Sequence, residues 1–264
     1  MVDMKQMAAN TVLASDLPHA RRAGDEPRVA PGASVAGVVG SGAGVVNDAG
    51  AAARFSNEPG RAHAGKGCGR GMLLIISGPS GVGKTTITRA VEAAIPDAVF
   101  SVSCTTRPRT AADREGVDYH FIGDAAFDQM IAAGDFLEHA GVFGKRYGTP
   151  RSWVEEKLSL GKLVILEIDV QGAMSVKRQM PEAFALFVLP PSEDTLLQRL
   201  RARARESEEV IQRRFAKARE EIATAQTCGV YDVLLVNRLL NDAVAIAVAV
   251  VGLMRGRKAG AAEK

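Results

Sequence analysis

Cysteine is scarce in this chain: three occur in 264 residues, Cys68, Cys104 and Cys228. They are odd in number, far apart and without a CxxC pair, which argues against a disulfide framework or a zinc site. Free thiols in a reducing cytoplasm are the expected state. The four histidines, His19, His63, His120 and His139, show no HExxH or similar metal spacing. Long apolar runs are missing too, since no segment approaches the roughly 18 residues of a membrane span. The stretch "DAVAIAVAVVGLM" at residues 242–254 is too short and reads as a buried C-terminal helix. The N-terminus lacks a basic region followed by a hydrophobic run, so no signal peptide is expected. Nor does one charge dominate: the net charge of +3 is too weak a balance for a general nucleic-acid or membrane-binding surface.

What remains is an ordinary globular composition, 47% hydrophobic and 24% charged, enough for one large domain or two small ones. Composition changes near residue 71. Residues 1–70 are rich in Ala and Gly, with scattered Arg and Asp and little periodicity. Such a stretch buries too little apolar surface to offset its conformational entropy. It is expected to be a disordered extension, or untranslated sequence attached by a wrong start site. Its "GSGAG" at residues 40–44 lacks the third glycine and the preceding strand of a dinucleotide-binding loop. From Met72 on, apolar runs such as "MLLIIS", "AVFSVS", "DFLEHAGV", "KLVILEID", "AFALFVLP" and "YDVLLVN" alternate with helical patterns. This predicts an α/β fold with a mostly parallel sheet flanked by helices over residues 71–258, and a flexible tail at 259–264.

"SGPSGVGKTT" follows the first of these strands and opens a helix. Gly78, Gly83, Lys84 and Thr85 fit G-x-x-x-x-G-K-[ST], and Pro79, Ser80, Gly81 and Val82 fill the loop. Glycines let backbone N–H groups wrap a phosphate, and the helix N-terminus adds a favourable dipole. Lys84 is expected to reach the β- and γ-phosphates and the Thr85 hydroxyl to hold Mg²⁺. The loop identifies a P-loop nucleotide binder without identifying its reaction, because GTPases, motor ATPases and small-molecule kinases share it.

Downstream stand "SVSCTTRPRTAADREGVDYHF", "FLEHAGVFGKRYGTPRSWVEEKL" and "VILEIDVQG". On these motifs, in this order, the sequence resembles the guanylate kinase family from about residue 72 to 255. The resemblance implies a nucleoside monophosphate kinase that transfers the γ-phosphoryl of ATP to GMP, with Mg²⁺ and no nucleic-acid or membrane partner. It implies a GMP-binding subdomain at about 104–155 and a lid at about 201–210. Arg107 and the Tyr119 and Tyr147 hydroxyls would hold the GMP phosphate, and Glu138, Ser103 and Thr149 the base. Guanine offers donors at N1 and N2 and an acceptor at O6, which a carboxylate and hydroxyls complement. Asp169, in "IDVQG", would bind GMP or orient water around Mg²⁺. Arg199, Arg203 and Arg214 would clamp the ATP phosphates and the transferring group, since phosphoryl transfer needs alignment and cations more than covalent help. Arg199 and Arg203 are four apart and share one side of a helix, whereas Arg201 and Arg205 are expected to face solvent.

The chain also departs from the pattern. A second phosphate-binding arginine is expected where Thr110 stands, and the neighbouring Arg109 either substitutes or the contact is lost. "AAD" at residues 111–113 replaces "PGE", Arg146 replaces a tyrosine, and Arg238 and Leu239 replace two aspartates. One lost charge-assisted contact would weaken GMP binding by about 1.5–3 kcal/mol. Two alternatives to a guanylate kinase remain: a non-catalytic binding module of this type, and a kinase of the same fold with another phosphorylated acceptor.

Overall fold

The structure is a computed structural model and describes residues 11–12, 71–203 and 207–262. The expected N-terminal extension, apart from Thr11 and Val12, therefore lies outside the described residues. So do residues 204–206 of the expected lid, residues 263–264, and the side chain of Arg203. In chain order the strands are β1 (Thr11–Val12), β2 (Met72–Ser77), β3 (Ala98–Phe100), β4 (Cys104–Thr105), β5 (His120–Phe121), β6 (Phe136–Val142), β7 (Lys145–Pro150), β8 (Leu163–Glu167), β9 (Phe184–Leu189) and β10 (Val233–Val236). The helices are α1 (Lys84–Ala94), α2 (Asp124–Ala133), α3 (Arg151–Ser159), α4 (Val170–Gln179), α5 (Glu193–Arg203), α6 (Glu208–Thr227) and α7 (Leu240–Ala262).

A six-stranded sheet runs β1-β10-β9-β2-β8-β3, with every pair parallel. Its strands are unbroken apolar runs because helices cover both faces. Period-two alternation then sorts their side chains. Leu74, Ile76, Leu163 and Ile165 join the core shared with Ile87 and Val91 of α1 and Ile246 and Val251 of α7. Leu73, Ile75, Val164 and Leu166 join the opposite core with Val154 of α3, Val176 of α4 and Ala225 of α6. Burying one such Leu or Ile stabilises by about 1.5–3 kcal/mol, and β2, buried at all six positions, is the spine of the sheet. The apolar helix expected at 242–254 is present, although Leu253 stays two-thirds exposed. That helix extends to Ala262, past residue 259 where the tail was expected to begin.

The second sheet, β5-β4-β7-β6, is inserted between β3 and β8. It is mixed: β4 pairs parallel with β5 and antiparallel with β7, and β6 with β7 antiparallel. Phe127 and Met130 of α2 pack on Cys104 and Phe136 of this sheet. Only β6 was foreseen from the sequence. The run "AVFSVS" leaves the large sheet after Phe100, so that Cys104 and Thr105 pair with the inserted one. Short strands such as β4 and β5 carry no period of their own; β4 forms because β7 offers a partner, and β5 because β4 does.

Candidate nucleotide-binding and phosphoryl-transfer site

In a parallel sheet of this kind, ligands gather in the crevice beyond the carboxyl ends of the strands. β2 ends there at Ser77, and α1 starts at Lys84. The link turns tightly. Gly78 has φ +152°, and a Cβ there would lie 2.6 Å from the Val188 carbonyl oxygen. Gly83 has φ +97°, and a Cβ would lie 2.8 Å from Asn237 Nδ2. Neither position has room for a side chain or suits its conformation. The Lys84 ammonium folds back over the loop and donates to the carbonyls of Gly78 (2.6 Å) and Pro79 (3.0 Å). Gly81 has φ +86°, and Val82 is fully buried beneath the turn.

Thr85 Oγ1 donates to Glu167 Oε1 at 2.8 Å, which adds Glu167, at the end of β8, to the site. The sequence signal for it was a lone acid closing an apolar run, a pattern too common to single out. These two oxygens suit a hard cation that takes few protein ligands and leaves the rest to phosphates and water.

Of the arginines expected at the ATP phosphates, Arg214 reaches the loop directly and Arg199 through Asn237. Arg214 Nη2, from α6, donates to Ser80 Oγ at 2.6 Å. Arg199 Nη2, from α5, donates to the Asn237 carbonyl at 3.3 Å, and Asn237 Nδ2 donates to the Val82 carbonyl at 2.8 Å. Asn237, just beyond β10, thus ties the loop to α5, a role sequence reading missed because its partners lie far away in the chain. Arg201 is exposed, as expected, and pairs with Glu208.

The inserted sheet supplies the other half. Glu138 on β6 is 5% exposed, and Thr149 Oγ1 on β7 donates to it at 2.6 Å. Burial pushes the Glu138 carboxyl up to about 7; the nearby Asp169 charge adds to this, and the Thr149 hydrogen bond opposes it. Asp169 caps α4, accepting from the Gly172 amide at 2.8 Å. Gly172 is needed because a Cβ there would lie 2.7 Å from Glu138 Oε2. Tyr119 and Tyr147 stack edge to face with centroids 5.6 Å apart, and burial pushes the Tyr119 hydroxyl up to about 12. The Arg107 guanidinium lies 5.3 Å from the Tyr119 ring centre. Ser103 immediately precedes β4, and its carbonyl accepts from the His120 amide at 2.9 Å. Arg109 is exposed and donates to the Asp113 carbonyl at 3.1 Å, bracing the loop that also holds Thr110. Arg146 faces away from this group. It pairs with Asp124 and Asp128 of α2 and covers the Phe127 ring, so its replacement of a tyrosine serves the α2 contact.

A strand, a glycine loop and a helix at the carboxyl edge of a parallel sheet, with a lysine folded over the loop, define a P-loop nucleotide-binding protein. The guanylate kinase family model matches residues 70–251. The chain is 49% identical over 176 residues to a guanylate kinase of Symbiobacterium thermophilum, covering 67% of this chain and 82% of that one. It is 48% identical over 191 residues to one of Anaeromyxobacter dehalogenans, covering 72% and 84%. Among solved structures, guanylate kinase from Anaplasma phagocytophilum superposes with a TM-score of 0.58 at 29% identity, covering 72% of this chain and 88% of that one. The chain belongs to the guanylate kinase family.

Proposed function

We propose that the protein is an ATP:GMP phosphotransferase yielding ADP and GDP. An oxygen of the GMP phosphate attacks the γ-phosphorus of ATP, and the bond to the β,γ-bridging oxygen breaks as ADP leaves. The supporting observation is Glu138. A buried carboxylate is unfavourable unless donors satisfy it, and among the described residues it meets the hydroxyl and backbone amide of Thr149 and no cation. Guanine N1–H and N2–H would add two further donors from the ligand side, whereas adenine offers neither.

On the donor side, loop amides and Lys84 bind the ATP phosphates, and Arg199 and Arg214 act at the transferring group, as Arg203 would by the family resemblance. Thr85 and Glu167 would hold Mg²⁺, which when bound neutralises charge between the phosphates. On the acceptor side Arg107, Tyr119 and Tyr147 hold the GMP phosphate, with Ser103 and Thr149 beside Glu138 at the base. Asp169 acts through its cap, which sets Gly172 against Glu138. The inserted sheet is the acceptor subdomain, and the α5–α6 junction is the lid. Lys84 and Arg214 at the loop speak against a non-catalytic module.

Among the described residues no helix is long and apolar enough to cross a membrane. The free thiols Cys104 and Cys228 fit a reducing cytoplasm. ADP release measured with GMP, AMP, UMP and CMP in turn tests the reading, with turnover expected on GMP. ATP binding without turnover on GMP would defeat it.

A further inference from the structure

Residues 106–119 link β4 to β5, and within them Thr110 and Asp113 close a small turn. The Asp113 amide donates to the Thr110 carbonyl at 3.1 Å. In return the Thr110 amide and hydroxyl both donate to Asp113 Oδ2 at 2.7 Å. The braced carboxylate then takes the end of the Arg107 guanidinium, Nη2 to Oδ1 at 2.9 Å and Nη1 to Oδ2 at 3.0 Å. The other Nη1 hydrogen goes to the Pro108 carbonyl at 3.2 Å. Three of the five guanidinium N–H groups are thus occupied. The two left, Nε–H and the second Nη2–H, share one edge of the planar group and form a second bidentate fork. Among the described residues nothing takes that edge.

We infer that Asp113 is a positioning residue for the acceptor phosphate, holding Arg107 end-on so that its Nε–Nη2 edge is presented to the anion beside Tyr119 and Tyr147. This rests on reading Arg107 as a GMP-phosphate ligand. The Thr110–Asp113 turn stands where a second arginine was expected, so Arg107 is the arginine left beside the two tyrosines and its orientation carries more of the affinity. A planar guanidinium already held on one edge loses less freedom when the other binds. Arg107 and Thr110 hold the Asp113 carboxyl well below the ordinary carboxylate range, so it remains an anion at any working pH.

Steady-state kinetics on Asp113→Ala, the isosteric Asp113→Asn, Arg107→Ala and the double variant Arg107→Ala/Asp113→Ala test this. Both Asp113 variants should raise KM for GMP about tenfold, the effect of one charge-assisted contact. Their kcat and KM for ATP should stay within about twofold of the parent. On the Arg107→Ala background, Asp113→Ala should add nothing, because it acts through that side chain. An unchanged KM for GMP in Asp113→Asn overturns the inference. So does a lowered one, which would make Asp113 a competitor that the phosphate must displace. Full additivity of the two substitutions, or an equal rise in KM for ATP, overturns it as well. Arg107→Ala with parental KM for GMP would instead remove Arg107 from the phosphate site, and the inference with it.

Discussion

In the acceptor site proposed above, Glu138 is caught in one conflict. Burial favours its neutral acid, while two guanine donors require the carboxylate. Its titration near 7 means that GMP binding expels a proton at lower pH. KM for GMP is therefore expected to rise as pH falls below about 7, by up to about tenfold per unit. The ratio of parent to Glu138→Gln isolates this component, because titration of GMP itself affects both proteins. A pH-independent ratio would count against the assignment. Glu138→Gln should also reduce the GMP:AMP preference, since the amide turns one of the two acceptor oxygens into an NH₂ that cannot accept from a guanine donor. The same raised titration makes a stability claim. Between about 4.5 and 7 the unfolded chain has lost this proton while the folded chain keeps it, so stability falls as pH rises through that window. Urea unfolding at pH 5 and 7.5 should show that slope in the parent and a weaker one in Glu138→Gln. Lys84, folded onto its own loop, is the other decisive residue. Lys84→Ala should lower kcat by at least about a hundredfold, as loss of a transition-state donor does, with an unchanged circular dichroism spectrum.

The elements place these residues where the chain alone could not. Helix α4 begins with Asp169 as its cap and brings Gly172, in its first turn, against Glu138. Gly172→Ala should favour the helix by about 0.5–1 kcal/mol through backbone entropy. Its new methyl group would nevertheless stand 2.7 Å from Glu138 Oε2 and force that carboxylate aside. The expected outcome is a raised KM for GMP with thermal stability close to the parent. A parental KM would show that Glu138 tolerates the displacement. Helix α6 acts over a longer reach, since Arg214 on it contacts Ser80 of the phosphate loop. α5 and α6 pack through Leu196, Leu200, Ile211 and Ala218, so Arg199 and Arg214 ride on a small core of their own.

In the whole molecule, the phosphate loop follows a strand of the six-stranded sheet, while Glu138, Tyr147 and Thr149, proposed for the acceptor, lie on the four-stranded one. Separate supports predict separable binding. Each substrate at a hundred times its Kd should stabilise the fold by about 2.7 kcal/mol. In thermal unfolding, Lys84→Ala should blunt the shift given by ATP and spare that given by GMP. Glu138→Gln should do the reverse. Loss of both shifts in either variant would contradict this division.

The sequence by itself determined whatever is local or repetitive. The phosphate loop could be read because glycines at positive φ, a lysine and a hydroxyl must follow one another within a single turn. The large sheet was legible because strands covered on both faces must be continuously apolar, and a run such as "MLLIIS" has few other places to go. The order of motifs brought Glu138, Tyr147 and Arg107 into view through family resemblance, without their geometry. Tertiary structure decided the rest. Strands β4, β5 and β7 are too short or too polar to announce themselves, and they exist by pairing with one another. The contacts of Thr85 with Glu167, Asn237 with Val82 and Arg214 with Ser80 span 82, 155 and 134 residues. Only the folded sheet edge brings them within hydrogen-bonding distance. The space that Gly172 leaves for Glu138, and the edge of Arg107 that Asp113 leaves open, are of the same kind. Each depends on what lies opposite a residue in space, which residue order alone does not encode.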